Sequence, residues 1–210
     1  MLTPPAPPPP SSFRGQVHAV NVTDLVIEGE GGIDGNGSCF WLANLARGHH
    51  GRLNHTRPRL LVVEGSQRVS LQGFSTFNSA YWNLVLFQTD DVHVKGVVVR
   101  NPSGGVGPCP QTDGKPCFGP NADGIDLVSV RRALVEEMDI TAGDDCVCIK
   151  SGENDRGRAV GRPTRAVLVR KMKLNSCSCP HVWRGLGDGC GGMKVGTEMS
   201  GGVRPPRHCF

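Results

Sequence analysis

One short pattern of apolar and polar positions recurs along the chain. An apolar residue is followed by any residue, a second apolar residue, two further positions and a third apolar residue. It begins as Leu25-x-Ile27 in DLVIEGEGGIDG and returns as Val69-x-Leu71-x-x-Phe74 and Val92-x-Val94-x-x-Val97. Two later copies are Ala133-x-Val135-x-x-Met138 and Val167-x-Val169-x-x-Met172. Alternation with a period of two marks a strand with one inward face. From the second copy on, another short strand-like run follows each one: NLVLF, GIDLV, CVCIK and GMKVG. One repeat therefore holds at least two strands joined by tight turns. A lone repeat cannot bury its inward face, whereas stacked repeats can. The pattern predicts an all-β solenoid, a right-handed parallel β-helix whose hand follows the usual crossover preference. A β-sandwich is the competing reading, but hairpin signals between alternating runs are scarce. The spacing widens twice, at the Pro/Gly/Cys-rich insert 102–120 and at the charged loop GENDRGRAVGRP.

Composition agrees with many short strands. The 210 residues suffice for one domain with a sizeable core. There are 29 glycines and only 5% aromatic residues, and long helices disfavour that much glycine. A net charge of +4 without a dense basic cluster gives no reason to expect a nucleic-acid partner. No apolar run approaches the ~20 residues of a membrane span. Residues 1–16 are proline-rich and expected to be disordered or extended, and they lack the basic start and apolar segment of a secretory signal. The solenoid is assigned to residues 17–210. Nine cysteines fit either buried thiols or a partly disulfide-bonded secreted protein, and three Asn-x-Ser/Thr sequons lean weakly towards secretion. Cys109 and Cys117 bracket CPQTDGKPC and form a candidate local bridge.

Stacking also brings acids together. Aligning ADGIDL (122–127) with DDCVCI (144–149) sets Ile125 on Val147 and Leu127 on Ile149. Asp123 then falls on Asp145, with Asp144 one step earlier. Adjacent strands lie about 4.8 Å apart, so three carboxylates meet in one patch. Strict alternation would send Asp144 and Asp145 to opposite faces, and a bend at Gly143 would turn both outwards. Three acids this close cannot all ionise comfortably, and one should be pushed towards its protonated form. An acid beside ionised carboxylates suits glycoside cleavage, in which one protonates the leaving oxygen and another activates water. Paired acids at a strand end also suit calcium, but only Asp126 is close enough in sequence to add to them. A solvated acidic turn is the plainest alternative.

Several motifs of the chain resemble those of glycoside hydrolase family 28, the polygalacturonase family of pectin-degrading enzymes. GEGGIDGNGSCFW (29–41) is similar to the family's G-x-G-x-I-D-G-x-G…W signature. NADGID (121–126) resembles N-T-D-G-I-D, with Ala122 in place of Thr, and GDDC (143–146) is intact. GGMKVGTEMSGG (191–202) resembles G-G-x-x-x-G-S-E-M-S-G-G. The likeness runs from about residue 17 to 204. It implies a right-handed parallel β-helix and inverting hydrolysis of α-1,4-galacturonosyl links in pectin or polygalacturonate. By that resemblance Asp144 is the general acid, Asp123 and Asp145 hold and activate water, and Asn121 is the cleft asparagine. No metal or organic cofactor is implied. The expected partner is an anionic polysaccharide, the expected state a monomer, and the expected location extracellular or the cell wall.

Two departures matter. The family's G-H-G triplet is GCG here, with Cys190 at the histidine position, and a thiol cannot supply imidazole's hydrogen bonding. His181 lies in the preceding segment SCSCPHVWRGLGD, which looks inserted. The family's later R-x-K motif, which grips the substrate carboxylate, is not found before Phe210. A solenoid incomplete at its C-terminal end is therefore expected. In relatives the cysteine of G-D-D-C often bridges to one just before the histidine motif, which implies Cys146 paired with Cys177 or Cys179. The competing functions are a catalytically impaired pectin-binding β-helix and, more distantly, a polysaccharide lyase using an arginine base and calcium.

Overall fold

A computed structural model describes residues 15–41, 57–101, 119, 121–176, 192–196 and 198–202. The described strands form three parallel sheets that the chain visits in turn. The first holds β1 (Gly15–Val20), β4 (Arg59–Glu64), β7 (Leu84–Phe87), β10 (Ile125–Val128), β13 (Val147–Lys150) and β16 (Met193–Val195). The second holds β2 (Thr23–Glu28), β5 (Gln67–Gln72), β8 (Asp90–Lys95), β11 (Arg131–Glu136) and β14 (Arg165–Arg170). The third holds the short strands β3 (Gly32–Asp34), β6 (Ser75–Phe77), β9 (Val98–Arg100), β12 (Asp139–Ala142) and β15 (Lys173–Ser176). This is a parallel β-helix with three strands per coil. Its first described strand starts at Gly15. The described residues include a helical turn at 38–41 and the helix α1 (Asn154–Val160) in the charged loop. No helix among the described residues is long and apolar enough to cross a membrane.

The recurring pattern is the second sheet. Leu25 pairs with Val69, Val69 with Val92, Val92 with Ala133 and Ala133 with Val167. Ile27, Leu71, Val94, Val135 and Val169 form the next inward column. The third apolar residue of each copy turns the corner into the third sheet, and Phe74, Val97 and Met138 are buried there. The third sheet escapes the pattern because its strands are short and offer few inward positions, such as Thr76, Val99 and Ile140, all fully buried. In the first sheet Leu61, Leu84, Ile125 and Val147 make one inward column, and Val63, Leu86, Leu127 and Ile149 make another. Burying such columns supplies the main favourable term, roughly 1.5–3 kcal/mol for each large side chain.

The corners repeat as faithfully as the strands. The second residue of each second-sheet strand takes a left-handed conformation: Asp24, Arg68, Asp91, Arg132 and Ala166, with φ between 53° and 61°. Non-glycine residues adopt that region at some strain, which the register of neighbouring coils imposes. Charge alternates along this exposed stack. Arg68 donates to Asp24 at 2.6 and 2.9 Å, and Arg132 donates to Asp91 at 2.5 and 2.9 Å. At a spacing of about 4.8 Å, like charges in adjacent coils would repel.

Candidate functional site

The predicted register is the observed one: Ile125 pairs with Val147 and Leu127 with Ile149. The ladder continues back past the strand ends. Gly124 donates its N–H to the Asp145 carbonyl, and Ile125 to the Cys146 carbonyl, both at 2.9 Å. Asp123 and Asp145 are therefore neighbours on adjacent coils, as expected. The Asp123 carbonyl is fixed from the other side by the backbone N–H and the side-chain Nδ2 of Asn83, each at 2.9 Å. Glycine is required at both turns by close packing. A Cβ at Gly124 would stand 2.4 Å from the Cys146 carbonyl oxygen, and one at Gly143 would stand 2.1 Å from the Gly119 carbonyl oxygen.

Asp144 is half-buried, whereas Asp123 and Asp145 are buried. The Asp144 carboxylate folds back on its own turn, its Oδ1 accepting the Asp145 N–H at 2.9 Å. Its Oδ2 faces Asn121 Nδ2 at 3.5 Å, and Arg57 donates to Asn121 Oδ1 at 2.6 Å. Arg57 thus ties Asn121 to the site while lying over the Tyr81 ring at 4.5 Å. Asp145 is met by a cation, with Lys194 Nζ at 3.3 Å from its Oδ2. Burial raises the carboxyl of Asp144 above the ordinary range, and the charge of Asp145 adds to it. Burial also raises Asp123 well above its usual value, reinforced by Asp126 and opposed by Lys150. Loss of water is thus the first cause and mutual repulsion the second, the reverse of the order suggested by three adjacent acids in a sequence.

The outer face of the first sheet holds two residues that sequence reasoning missed, Cys148 and Lys150, beside Asp126. Alternation along β10 and β13 carries Asp126, Cys148 and Lys150 to the side opposite Ile125, Leu127 and Val147. Lys150 is buried, with its ammonium 2.8 Å from Asp126, 3.4 Å from Asp123 and 3.5 Å from Glu198. The contact with Asp126 is an ion pair by distance; its angles are not those of a hydrogen bond. The same ammonium lies 3.7 Å from the centre of the Trp82 ring, itself stacked on Tyr81 at 5.2 Å. Cys148 Sγ donates to Asp123 Oδ2 at 3.2 Å. Burial drives Asp126 up to about 6, and Lys150 pulls it back. Burial likewise opposes the charge on Lys150, but Asp126 and Asp123 outweigh it and hold the ammonium protonated. Asp123, Asp126 and Cys148 gather around this ammonium, which supplies the positive charge a metal would otherwise bring. The signal in the sequence was slight: a lysine two positions after Cys148, on the outward phase of CVCIK.

A cavity of about 330 Å³ adjoins this face between Trp82 and α1, with Arg59, Lys150, Arg156 and Glu198 on its walls. Asp123, Asp144 and Asp145 do not line it. Cys146 faces the core with a free, buried thiol, pushed up to about 12 by its burial. Its expected partners Cys177 and Cys179 lie outside the described residues, as do Cys109, Cys117, His181 and Cys190.

Comparison with known proteins gives this geometry a lineage. Residues 11–173 match the sequence profile described as Glycosyl hydrolases family 28. A Vitis vinifera protein named "Probable polygalacturonase" is 29% identical over 196 residues, covering 93% of this chain and 34% of its own length. Among solved structures, a hyperthermoactive exopolygalacturonase of Thermotoga maritima matches with a TM-score of 0.71 at 24% identity, over 91% of this chain and 45% of that one. The polygalacturonase of Erwinia carotovora matches with a TM-score of 0.61 at 21% identity, over 87% of this chain and 45% of that one. The fold is therefore the right-handed parallel β-helix of these structures. The chain spans about a third of its curated relative's length and under half of each solved one. With the profile matched over most of its length, the chain belongs to glycosyl hydrolase family 28.

Proposed function

We propose that the protein hydrolyses α-1,4-galacturonosyl links in pectin or polygalacturonate. The observation that carries this reading is the pairing of β10 with β13, which sets Asp123 beside Asp145 and leaves Asp144 half-exposed one residue away. In this scheme Asp144 is the general acid. Its raised affinity for a proton suits it to hold one until the glycosidic oxygen takes it. Asp123 and Asp145, each beside a lysine, hold the attacking water and accept its proton. The water oxygen bonds to the anomeric carbon as the bond from that carbon to the leaving oxygen breaks. Attack from the opposite face inverts the centre. Arg57 and Lys194 place positive charge at the cleft, which suits an anionic polymer. An extracellular or cell-wall location, a monomeric state and the absence of nucleic-acid or membrane partners complete the proposal.

The test is the release of reducing ends from polygalacturonic acid by the wild type and by Asp144→Asn. Release by the wild type that falls at least a hundredfold in the variant is expected. Equal, background-level release by both would overturn the hydrolase reading. Cys190 at the family's histidine position favours a second reading, a pectin-binding β-helix without turnover. Binding of the polymer without released ends would support it.

A further inference from the structure

The acid that activates water must be ionised, yet Asp123, just before β10, is buried, and the carboxylate of Asp126 lies within 4.8 Å of it. One charge reconciles these facts: the buried ammonium of Lys150 stands between the two carboxylates, at 3.4 and 2.8 Å. Its place is tightly fixed. Val128 pairs with Lys150 across β10 and β13, so the lysine sits one strand from Asp126 and two residues further along. Trp82 closes over the ammonium at 3.7 Å, and Glu198 reaches it from the last described coil at 3.5 Å. Little of the side chain meets water, with 5% exposed. Such an ion pair gains nothing for stability that packed apolar side chains could not supply.

We propose that Lys150 is a positioning residue that offsets the burial of Asp123 and so favours its ionised form for water activation, with Asp126 as the opposing charge that sets how strongly it does so. The proposal rests on the hydrolase reading for its catalytic meaning, and on geometry alone for the charge balance. The other groups facing Asp123 are Cys148 on β13 and Cys146 just before it, Asp144 and Asp145 in the adjacent turn, Arg57 just before β4, Arg59 at its start, and Tyr81 before β7.

The test compares wild type, Lys150→Met and Asp126→Asn by two readouts. The first is the acid limb of kcat/KM against pH on polygalacturonate, which follows ionisation of the free enzyme's base. The second needs no turnover: the titration of the Asp123 carboxyl by carbon-13 NMR, assigned through Asp123→Asn. Lys150→Met is expected to move both upwards by about one to three pH units, since a cation within a few ångströms has been removed. Asp126→Asn is expected to move both downwards, since a like charge has been removed and Lys150 is left to Asp123. A residue that only holds the fold would lower the rate without moving either midpoint in opposite senses. No shift, or shifts of the same sign, overturns the proposal even where polygalacturonate is cleaved. Opposite shifts of the carboxyl in a protein without turnover uphold the charge balance and remove the hydrolase reading instead. Should Lys150→Met fail to fold, Asp126→Asn carries the test, and an unmoved or raised Asp123 titration overturns it.

Discussion

Asp144 and Asp145 occupy consecutive positions and yet lead different lives. Asp144 faces the cleft with Asn121, while Asp145 is buried against Lys194. Because burial outranks the neighbouring charge as the cause of the raised Asp144 titration, removing that charge should lower it only in part. In Asp145→Asn the Asp144 carboxyl should titrate lower than in the wild type but still above the ordinary ~3.9. A carbon-13 titration that fell to the ordinary value would show repulsion to be the main cause. Asp126 makes a further residue-scale prediction. Its carboxyl binds its proton up to about pH 6 in the folded chain, against ~3.9 when unfolded. The folded state thus carries the extra proton between those values, and its stability falls as pH rises through them. Asp126→Asn lacks that loss. Between pH 4 and 7 the wild type should lose about 1–3 kcal/mol more than the variant in urea unfolding. Parallel pH dependences would refute this.

At the scale of elements, the site depends on how closely β10 and β13 approach. Gly124→Ala would press a methyl group on the Cys146 carbonyl and on Ile140, and neither belongs to a flexible side-chain tip on the surface. A loss of about 1–3 kcal/mol is expected, with a fall in turnover beyond what the unfolded fraction explains. Unchanged unfolding midpoints would mean that the strands part at little cost. The corner stack of alternating charges on the second sheet is a different kind of device. Asp91→Lys would put a third cation between Arg68 and Arg132. The melting temperature should drop in low salt and recover in 0.5 M NaCl, because these groups are exposed and screened. A drop insensitive to salt would point to lost backbone geometry at φ 55° instead.

The whole molecule is a one-dimensional stack, so its stability should vary along its axis. The middle coils are sealed, with Leu84, Ile125, Leu127 and Val135 at 0% exposure. At one described end Met193 and Val195 continue the inward columns but are 55% and 62% exposed. At the other, β1 and β2 are mostly exposed. Amide hydrogen exchange should therefore be slowest in β7 to β11 and fastest in β1, β2 and β14 to β16. Uniform protection would mean that the coils unfold as one unit.

What the sequence determined by itself was periodic. Val92, Val94 and Val97 and their counterparts specify inward columns because side chains alternate and stacked coils must bury them, and the same register placed Asp123 on Asp145. The short third sheet was not legible, because strands of three or four residues offer too few inward positions for a period to show. The partners of the acids were decided only by tertiary structure. Lys150, Trp82, Arg57 and Glu198 lie far apart in the chain, and nothing local marks them as neighbours. A lysine at the end of a strand reads as a solvated charge until the fold excludes water from it. Burial likewise, more than adjacency, decides how Asp123 and Asp144 hold their protons, and burial belongs to the folded stack rather than to any stretch of sequence.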